Sequence, residues 1–423
     1  MQSVRIYQCE RLPGTTVSIA SQNRSRFVAV NKQPDRFANR ISRLQEEGAY
    51  AILAQAQALE AQGRDIIHLE IGQPDFQTFP NISMAGVRAI ASGQTRYTPP
   101  PGIPELRAII AEDAGRRRGI TVSPEQVVVG PGAKPFLLLP TMALVGPGDE
   151  VIYPDPGFPS YKTVIELSGG KPVPVPLLEE NDFSFDLEAF DALINENTRL
   201  IILNTPANPT GGVIPTADLA HILAAAERYD AWIMADEIYM RLVYGDDGAT
   251  SIAALAGGRK RTIIVDGFSK TYAMAGWRLG FGIMPEALAE KVGLLLTHSV
   301  GCTATFTQIA GIEALAGPQA QVEAVRDEYQ RRRDLIVAGL NAIPGVTCQT
   351  PQGAFYVFPN VKRFGLPSAQ LADYLLQEAG VALLPGTAFG DYGEGYLRIC
   401  YSNSRENIQA ALERMAEALK TMI

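Results

Sequence analysis

The chain is poor in the residues from which metal sites and nucleophilic triads are built. Its 423 residues include three histidines (His68, His221, His298) and four cysteines (Cys9, Cys302, Cys348, Cys400). The cysteines show no paired short spacing, so neither a zinc site nor a disulfide framework is expected, and no metal ion is called for. This cysteine usage fits a reducing, cytoplasmic setting. Positive charge is also scarce: Lys and Arg total 37 against 45 Asp and Glu, a formal net charge of −8. That balance argues against a nucleic-acid or anionic-membrane binder. Long apolar runs are missing too. The stretch between Lys291 and Glu313 has no Asp, Glu, Lys or Arg, but it contains His298, Ser299, Gln308 and several Thr and Gly. It reads as a helix, a break and a second helix, not as a membrane span. There is no internal repeat and no low-complexity tract. Residues 1–38 are basic (Arg5, Arg11, Arg24, Arg26, Lys32, Arg36) and lack helical periodicity. Without the apolar centre of a signal peptide they read as a loose, flexible extension, with a transit peptide as the rival.

What is present is a regular alternation. The runs IIHLEI (66–71), QVVVG (126–130), EVIYP (150–154), LIILN (200–204), AWIMADE (231–237) and TIIVDGF (262–268) are short and rich in β-branched residues, as strands buried on both faces should be. Helical patterns lie between them at 103–119, 133–145, 159–168 and 216–229. Pro104 falls in an opening turn, where its missing N–H has no intrahelical partner. From about residue 285 helices dominate (285–297, 318–341), followed by short strands near 345–349, 354–358 and 396–401 and a last helix capped by Ser404. Another helix is expected over 39–63. The fold class is α/β: a large domain (76–296) with a mostly parallel sheet covered by helices on both faces, and a smaller α+β domain built from 39–75 and 297–423.

Several stretches carry chemistry. In GFSKTYAMAGWRLG (267–280), Lys270 follows an apolar strand, with Ser269 before it and Arg278 eight residues on. A lysine so placed can condense with an aldehyde, and an arginine can grip a phosphate with two prongs. A surface lysine and an ion-paired arginine are the plain alternative. In ADEIY (235–239), Asp236 closes a buried strand, where a carboxylate is costly unless paired. A protonated ring nitrogen would pair it; capping a helix is the rival. Tyr239 would donate to a phenolic oxygen on the same ring. NTPANPTGG (204–212) makes a rigid turn after a strand, where doubly wound sheets place ligands, and offers Asn208 to that oxygen. VGPGAK (129–134) is a strand-to-helix turn whose N–H groups at Ala133 and Lys134 suit a phosphate. It has neither the dinucleotide glycine spacing nor the P-loop ending. Phe158, in DPGFPSY (155–161), would stack on the ring or simply fill the core. Arg398, in YLRICY (396–401), lies inside an apolar strand, where a substrate carboxylate or a structural salt bridge would explain it.

Together these residues resemble the class I/II aminotransferases, fold-type I enzymes dependent on pyridoxal 5′-phosphate, of the aspartate-aminotransferase kind. The likeness spans about 39–423 and rests on the order Asn208, Asp236, Tyr239, Lys270, Arg278, Arg398 and on the SK-x5-G-x-R pattern around Lys270. It implies that Lys270 carries the cofactor and acts as base. Ala133, Lys134, Ser269 and Arg278 are then phosphate contacts, and Asn208 and Tyr239 contact the ring oxygen. Asp236 is implied at the ring nitrogen, and Arg398 and Gly72, in IGQPDF (71–76), at the substrate α-carboxylate. Tyr97, in RYTPPPG (96–102), would reach the neighbouring site of a homodimer. Phe158 stands where the family often has tryptophan or tyrosine, and residues 1–38 have no counterpart in the pattern. The expected activity moves an α-amino group from an amino acid to a 2-oxo acid by a ping-pong mechanism. A lyase on the same scaffold is the alternative, and a non-enzymatic regulator lacks room for a DNA-binding module in 38 residues. In some aspartate-using members of that family the residue at Lys134 reaches toward a distal carboxylate, which points to aspartate or glutamate as donor, with arginine, aromatic and branched-chain amino acids as the open alternatives.

Overall fold

The computed structural model describes residues 37, 38, 41, 44, 47–245 and 248–422. The extension expected over 1–38 and the first turns of the helix expected from 39 lie almost wholly outside these residues. The chain divides into two units, 1–42 and 43–423, and the second carries every element below.

Twelve strands and twelve helices longer than one turn occur among the described residues. The strands are β1 (Ile67–His68), β2 (Val127–Gly130), β3 (Glu150–Asp155), β4 (Lys171–Pro176), β5 (Thr198–Asn204), β6 (Trp232–Asp236), β7 (Thr262–Gly267), β8 (Gly280–Ile283), β9 (Tyr356–Val357), β10 (Val381–Ala382), β11 (Leu384–Pro385) and β12 (Leu397–Cys400). The helices are α1 (Gly48–Glu60), α2 (Pro80–Ala91), α3 (Pro104–Arg118), α4 (Lys134–Leu144), α5 (Ser160–Leu167), α6 (Leu187–Leu193), α7 (Thr216–Arg228), α8 (Glu286–Ser299), α9 (Thr305–Ala316), α10 (Ala320–Asn341), α11 (Ser368–Tyr374) and α12 (Arg405–Lys420).

The central sheet has seven strands in the order β2-β8-β7-β6-β5-β3-β4. All neighbours are parallel except β8, which runs antiparallel to both β2 and β7. The alternation of side chains along a strand sends successive residues into separate cores. On β5, Ile201 and Leu203 join one cluster with Ile233 and Ala235 of β6 and Leu219 of α7. Leu200 and Ile202 join another on the opposite face, with Met234, Val265 and Phe136 of α4. A third cluster packs Ile264 and Val129 under α2, α3 and α9 through Ile82, Leu106 and Ala310. The charge-free stretch between Lys291 and Glu313 is the end of α8, a break, and α9. No helix among the described residues is long and apolar enough to cross a membrane.

Two small sheets lie toward the C-terminal part: β11-β12-β9, antiparallel, and β1-β10, parallel. They bury their side chains in one cluster with α10, α11 and α12. Ser404 caps α12 by accepting from the Asn407 N–H at 3.1 Å. Elements differ from the sequence reading where packing overrides local pattern. The run 66–71 is a strand only at Ile67–His68, because from Glu70 onward the backbone leaves the ladder. The strand expected near 345–349 reduces to a single bridge between Thr347 and Asn360. Strands β4 and β8 and helix α2 were not read from the sequence.

Candidate functional site

The register of the large sheet gathers the polar strand ends at one edge. Asn204 at the end of β5 is level with Asp236 at the end of β6, and Gly267 at the end of β7 pairs with Gly280, which also pairs with Gly130. Ligands in open α/β sheets bind beyond such carboxyl ends. A cavity of about 560 Å³ opens there, closed on its far side by β12 and the loop through Phe389.

Of the residues singled out in the sequence, Gly72, Ala133, Lys134, Phe158, Asn208, Asp236, Tyr239, Ser269, Lys270, Arg278 and Arg398 all line this cavity. Tyr97 does not; it is 97% exposed on the surface.

Lys270 donates from Nζ to the carbonyl oxygen of Gly72 at 2.6 Å. Burial, reinforced by the charges of Arg398 and Arg278, lowers its amine to about 8. Asp236 is buried, and desolvation raises its carboxyl to about 6 against the accepted bonds from Tyr161 and the Ile238 N–H. The Tyr161 hydroxyl donates to Asp236 Oδ2 at 2.8 Å. Tyr239 and Tyr356 share a hydroxyl contact of 2.7 Å, and burial holds the Tyr239 phenol well above its ordinary value.

Asn204 sets the turn that carries Asn208. Its Oδ1 accepts from the Asn208 N–H at 2.8 Å, while its Nδ2 donates to the carbonyls of Asp236 at 3.0 Å and Pro206 at 3.2 Å. Arg398 is 3% exposed. It donates to Asn208 Oδ1 at 3.4 Å and to the Glu70 carbonyl, and its Nε has no partner. The structural salt bridge held open for it from sequence is absent among the described residues. A buried guanidinium without a counter-charge is costly, and Arg398 is a candidate to hold a carboxylate.

On the other side, Gly132 holds φ +89°, and a Cβ there would stand 2.5 Å from the Arg278 guanidinium. Arg278 itself takes φ 55°, ψ 61°, an uncommon conformation for a residue with a side chain. The cradle of Ala133, Ser269 and Arg278 around the start of α4 thus presents N–H, O–H and guanidinium donors together. Gly72 is fixed by another contact: a Cβ at 72 would lie 2.2 Å from the Tyr356 hydroxyl.

Tyr161, Asn204 and Tyr356 also line the cavity and were not singled out from sequence. Tyr161 and Asn204 sit inside stretches already quoted, and an ionised strand-end Asp needing a donor was the available signal for Tyr161. Tyr356, in an apolar strand of the C-terminal part, carried no signal.

The donor set fits a phosphorylated pyridine aldehyde: a half-buried amine near neutrality, a buried acid, an anion cradle and an unpaired guanidinium share one cavity. Comparison with known proteins agrees. The sequence pattern of the family "Aminotransferase class I and II" matches residues 64–415. The chain is 41% identical to an aspartate aminotransferase of Pyrococcus abyssi over 84% of this chain and 92% of that relative. It is also 41% identical to an aromatic-amino-acid aminotransferase of Thermococcus litoralis, over 85% and 93% respectively. The solved aspartate aminotransferase of Thermus thermophilus with maleate superposes with a TM-score of 0.87 at 36% identity, covering 90% of this chain and 99% of that one. The chain therefore belongs to the class I and II aminotransferases and is an enzyme of transamination.

Proposed function

We propose that the protein is a pyridoxal-phosphate-dependent aminotransferase of dicarboxylic amino acids, aspartate or glutamate, acting as a homodimer in the cytoplasm. The observation that carries this reading is the half-buried Lys270 amine, lowered to about 8 and hydrogen-bonded to the Gly72 carbonyl, in the same cavity as Asp236 and Arg398. Pyridoxal phosphate, when bound, supplies an aldehyde that condenses with amines and a ring that takes up the electrons of a deprotonated α-carbon.

The chain's own residues do the rest. Lys270 would hold the cofactor and would serve as the base for the α-proton, a task suited to a lysine lowered toward neutrality. Asp236, oriented by Tyr161, would keep a proton on the ring nitrogen. Asn208 and Tyr239 would hold the ring oxygen, with Tyr356 behind Tyr239. Phe158 would pack on the ring. The N–H groups of Ala133 and Lys134, the hydroxyl of Ser269 and the fork of Arg278 would hold the phosphate. Arg398 pairs with the α-carboxylate beside Gly72, and its fork suits a carboxylate better than a lysine would. The exposed Tyr97, from a second copy, would complete the phosphate site.

A two-domain layout, with 39–75 and 297–423 forming the smaller domain, fits a cavity walled by β12 on one side and the large sheet on the other. The dicarboxylate preference is supported by Lys134 at the cavity rim and by the relative solved with maleate. The test is a half-reaction. The loaded enzyme given aspartate alone should release one equivalent of oxo acid per site and stop until 2-oxoglutarate is added. Continued turnover without an acceptor would assign a lyase instead.

A further inference from the structure

Four cations line the cavity: Lys134, Lys270, Arg278 and Arg398. Among the described residues, Lys134 alone of the four has a carboxylate partner, its Nζ donating to Glu47 Oε1. Glu47 stands at the N-cap position of α1 with extended backbone, φ −65° and ψ 121°. From that position short acceptors such as Ser, Thr, Asp and Asn turn back onto the free N–H groups of the first turn. Glu47 makes no such bond. Its carboxylate points to Lys134 and accepts a second hydrogen bond from Ser160 Oγ, at the start of α5, at 3.3 Å. The backbone beside it packs closely, since a Cβ on Gly48 would lie 3.2 Å from that of Ala388. Lys134 Nζ in turn lies 5.3 Å from the centre of the Phe158 ring. One acidic side chain thus neutralises a cation at the rim of the substrate cavity.

We infer that Glu47 is a specificity-determining residue: it occupies on Lys134 the place of a substrate's distal carboxylate, and a dicarboxylate binds by displacing it. The inference rests on the aminotransferase reading above, with the α-carboxylate at Arg398. A substrate with an uncharged side chain leaves the Glu47–Lys134 pair intact. A dicarboxylate exchanges one carboxylate for another on Lys134 and expels Glu47 into water, so the attraction it gains is offset by the pair it breaks. Glu47 therefore narrows the preference for dicarboxylates and lets neutral donors compete.

The experiment uses the loaded enzyme and Glu47→Gln, which keeps the shape and the bond to Ser160 and removes the charge. Because the pair is partly exposed, KM for aspartate and 2-oxoglutarate is expected to fall roughly two- to fivefold. KM for alanine and phenylalanine, and kcat for all donors, should stay unchanged. Calorimetric binding of succinate to the loaded enzyme should tighten by the same factor, and 1 M salt should shrink the difference. With Lys134→Met, which keeps the backbone N–H, adding Glu47→Gln should have no further effect.

An unchanged KM for aspartate, or an equal fall for every donor, overturns the inference. So does a rise confined to a cationic donor such as arginine, which would make Glu47 a direct substrate contact. Absence of transamination with any donor in the unmutated enzyme would instead refute the underlying reading.

Discussion

Asp236 and Glu237 are adjacent carboxylates at the end of β6, yet they face two different environments. Asp236 turns into the cavity and receives one hydroxyl and one N–H. Glu237 turns to the other side of the sheet and meets Arg118 Nε at 2.5 Å and Ser251 Oγ at 2.6 Å. Arg118 also donates to Asp266 Oδ2 at 2.7 Å. Behind the sheet, Arg118, Glu237 and Asp266 pair with one another. In front of it, Lys270, Arg278 and Arg398 have no carboxylate among the described residues. Buried charge left without a counter-charge is costly, and the contrast separates an ion-paired cluster inside the fold from Lys270 and Arg398, which face the cavity.

The contrast can be broken in three ways. The largest effect is expected from Lys270→Ala, which should lower kcat on the order of 10⁴-fold while leaving the unfolding midpoint of the cofactor-free protein unchanged or raised. A clear loss of stability would show that the lysine serves the fold after all. Next is Arg118→Met. It strands Glu237 and Asp266 without their cation and should cost about 3–5 kcal/mol in urea unfolding; a cost under about 1 kcal/mol would contradict the division drawn here.

The smallest concerns Asp236. Its folded-state value of about 6 lies above the ordinary 3.8, so between those limits the folded protein holds a proton that the unfolded chain releases. Stability contributed by that proton is present below about pH 4 and is lost as pH rises through 6, up to about 3 kcal/mol. The cofactor-free Asp236→Asn variant should therefore gain on the wild type across that window. A constant difference between the two proteins from pH 4 to 7 would place the titration elsewhere.

Much of the large sheet was legible because short, β-branched apolar runs such as VVVG and IILN, bounded by turn residues, favour strands buried on both faces. Strand β4 was not, because KPVPVP reads as a broken strand: proline cannot donate to a ladder. The structure resolves this by position. β4 lies at the sheet edge, and the N–H groups of Lys171 and Leu177 donate inward to Asp149 and Asp155, so by alternation the prolines at 172, 174 and 176 fall on the outward side. At the cavity, the sequence named residues lying near glycine-rich turns and strand ends. It did not name Tyr161, Tyr356 or Glu47, whose contacts join segments far apart in the chain, nor Asn204, whose bonds stay within its own turn and the neighbouring strand. Tyr356 meets Tyr239 across 117 positions, and no local pattern encodes such a meeting.

The amide of Asn204 has a consequence of its own. With one acceptor and two donors committed to three different backbone groups, it cannot be rotated end for end without losing all of them. It works as a calliper between neighbouring strands, fixing how far Asn208 stands from the acid on β6. The tolerance of the whole cavity is thereby delegated to a side chain whose hydrogen bonds all end on the protein's own backbone.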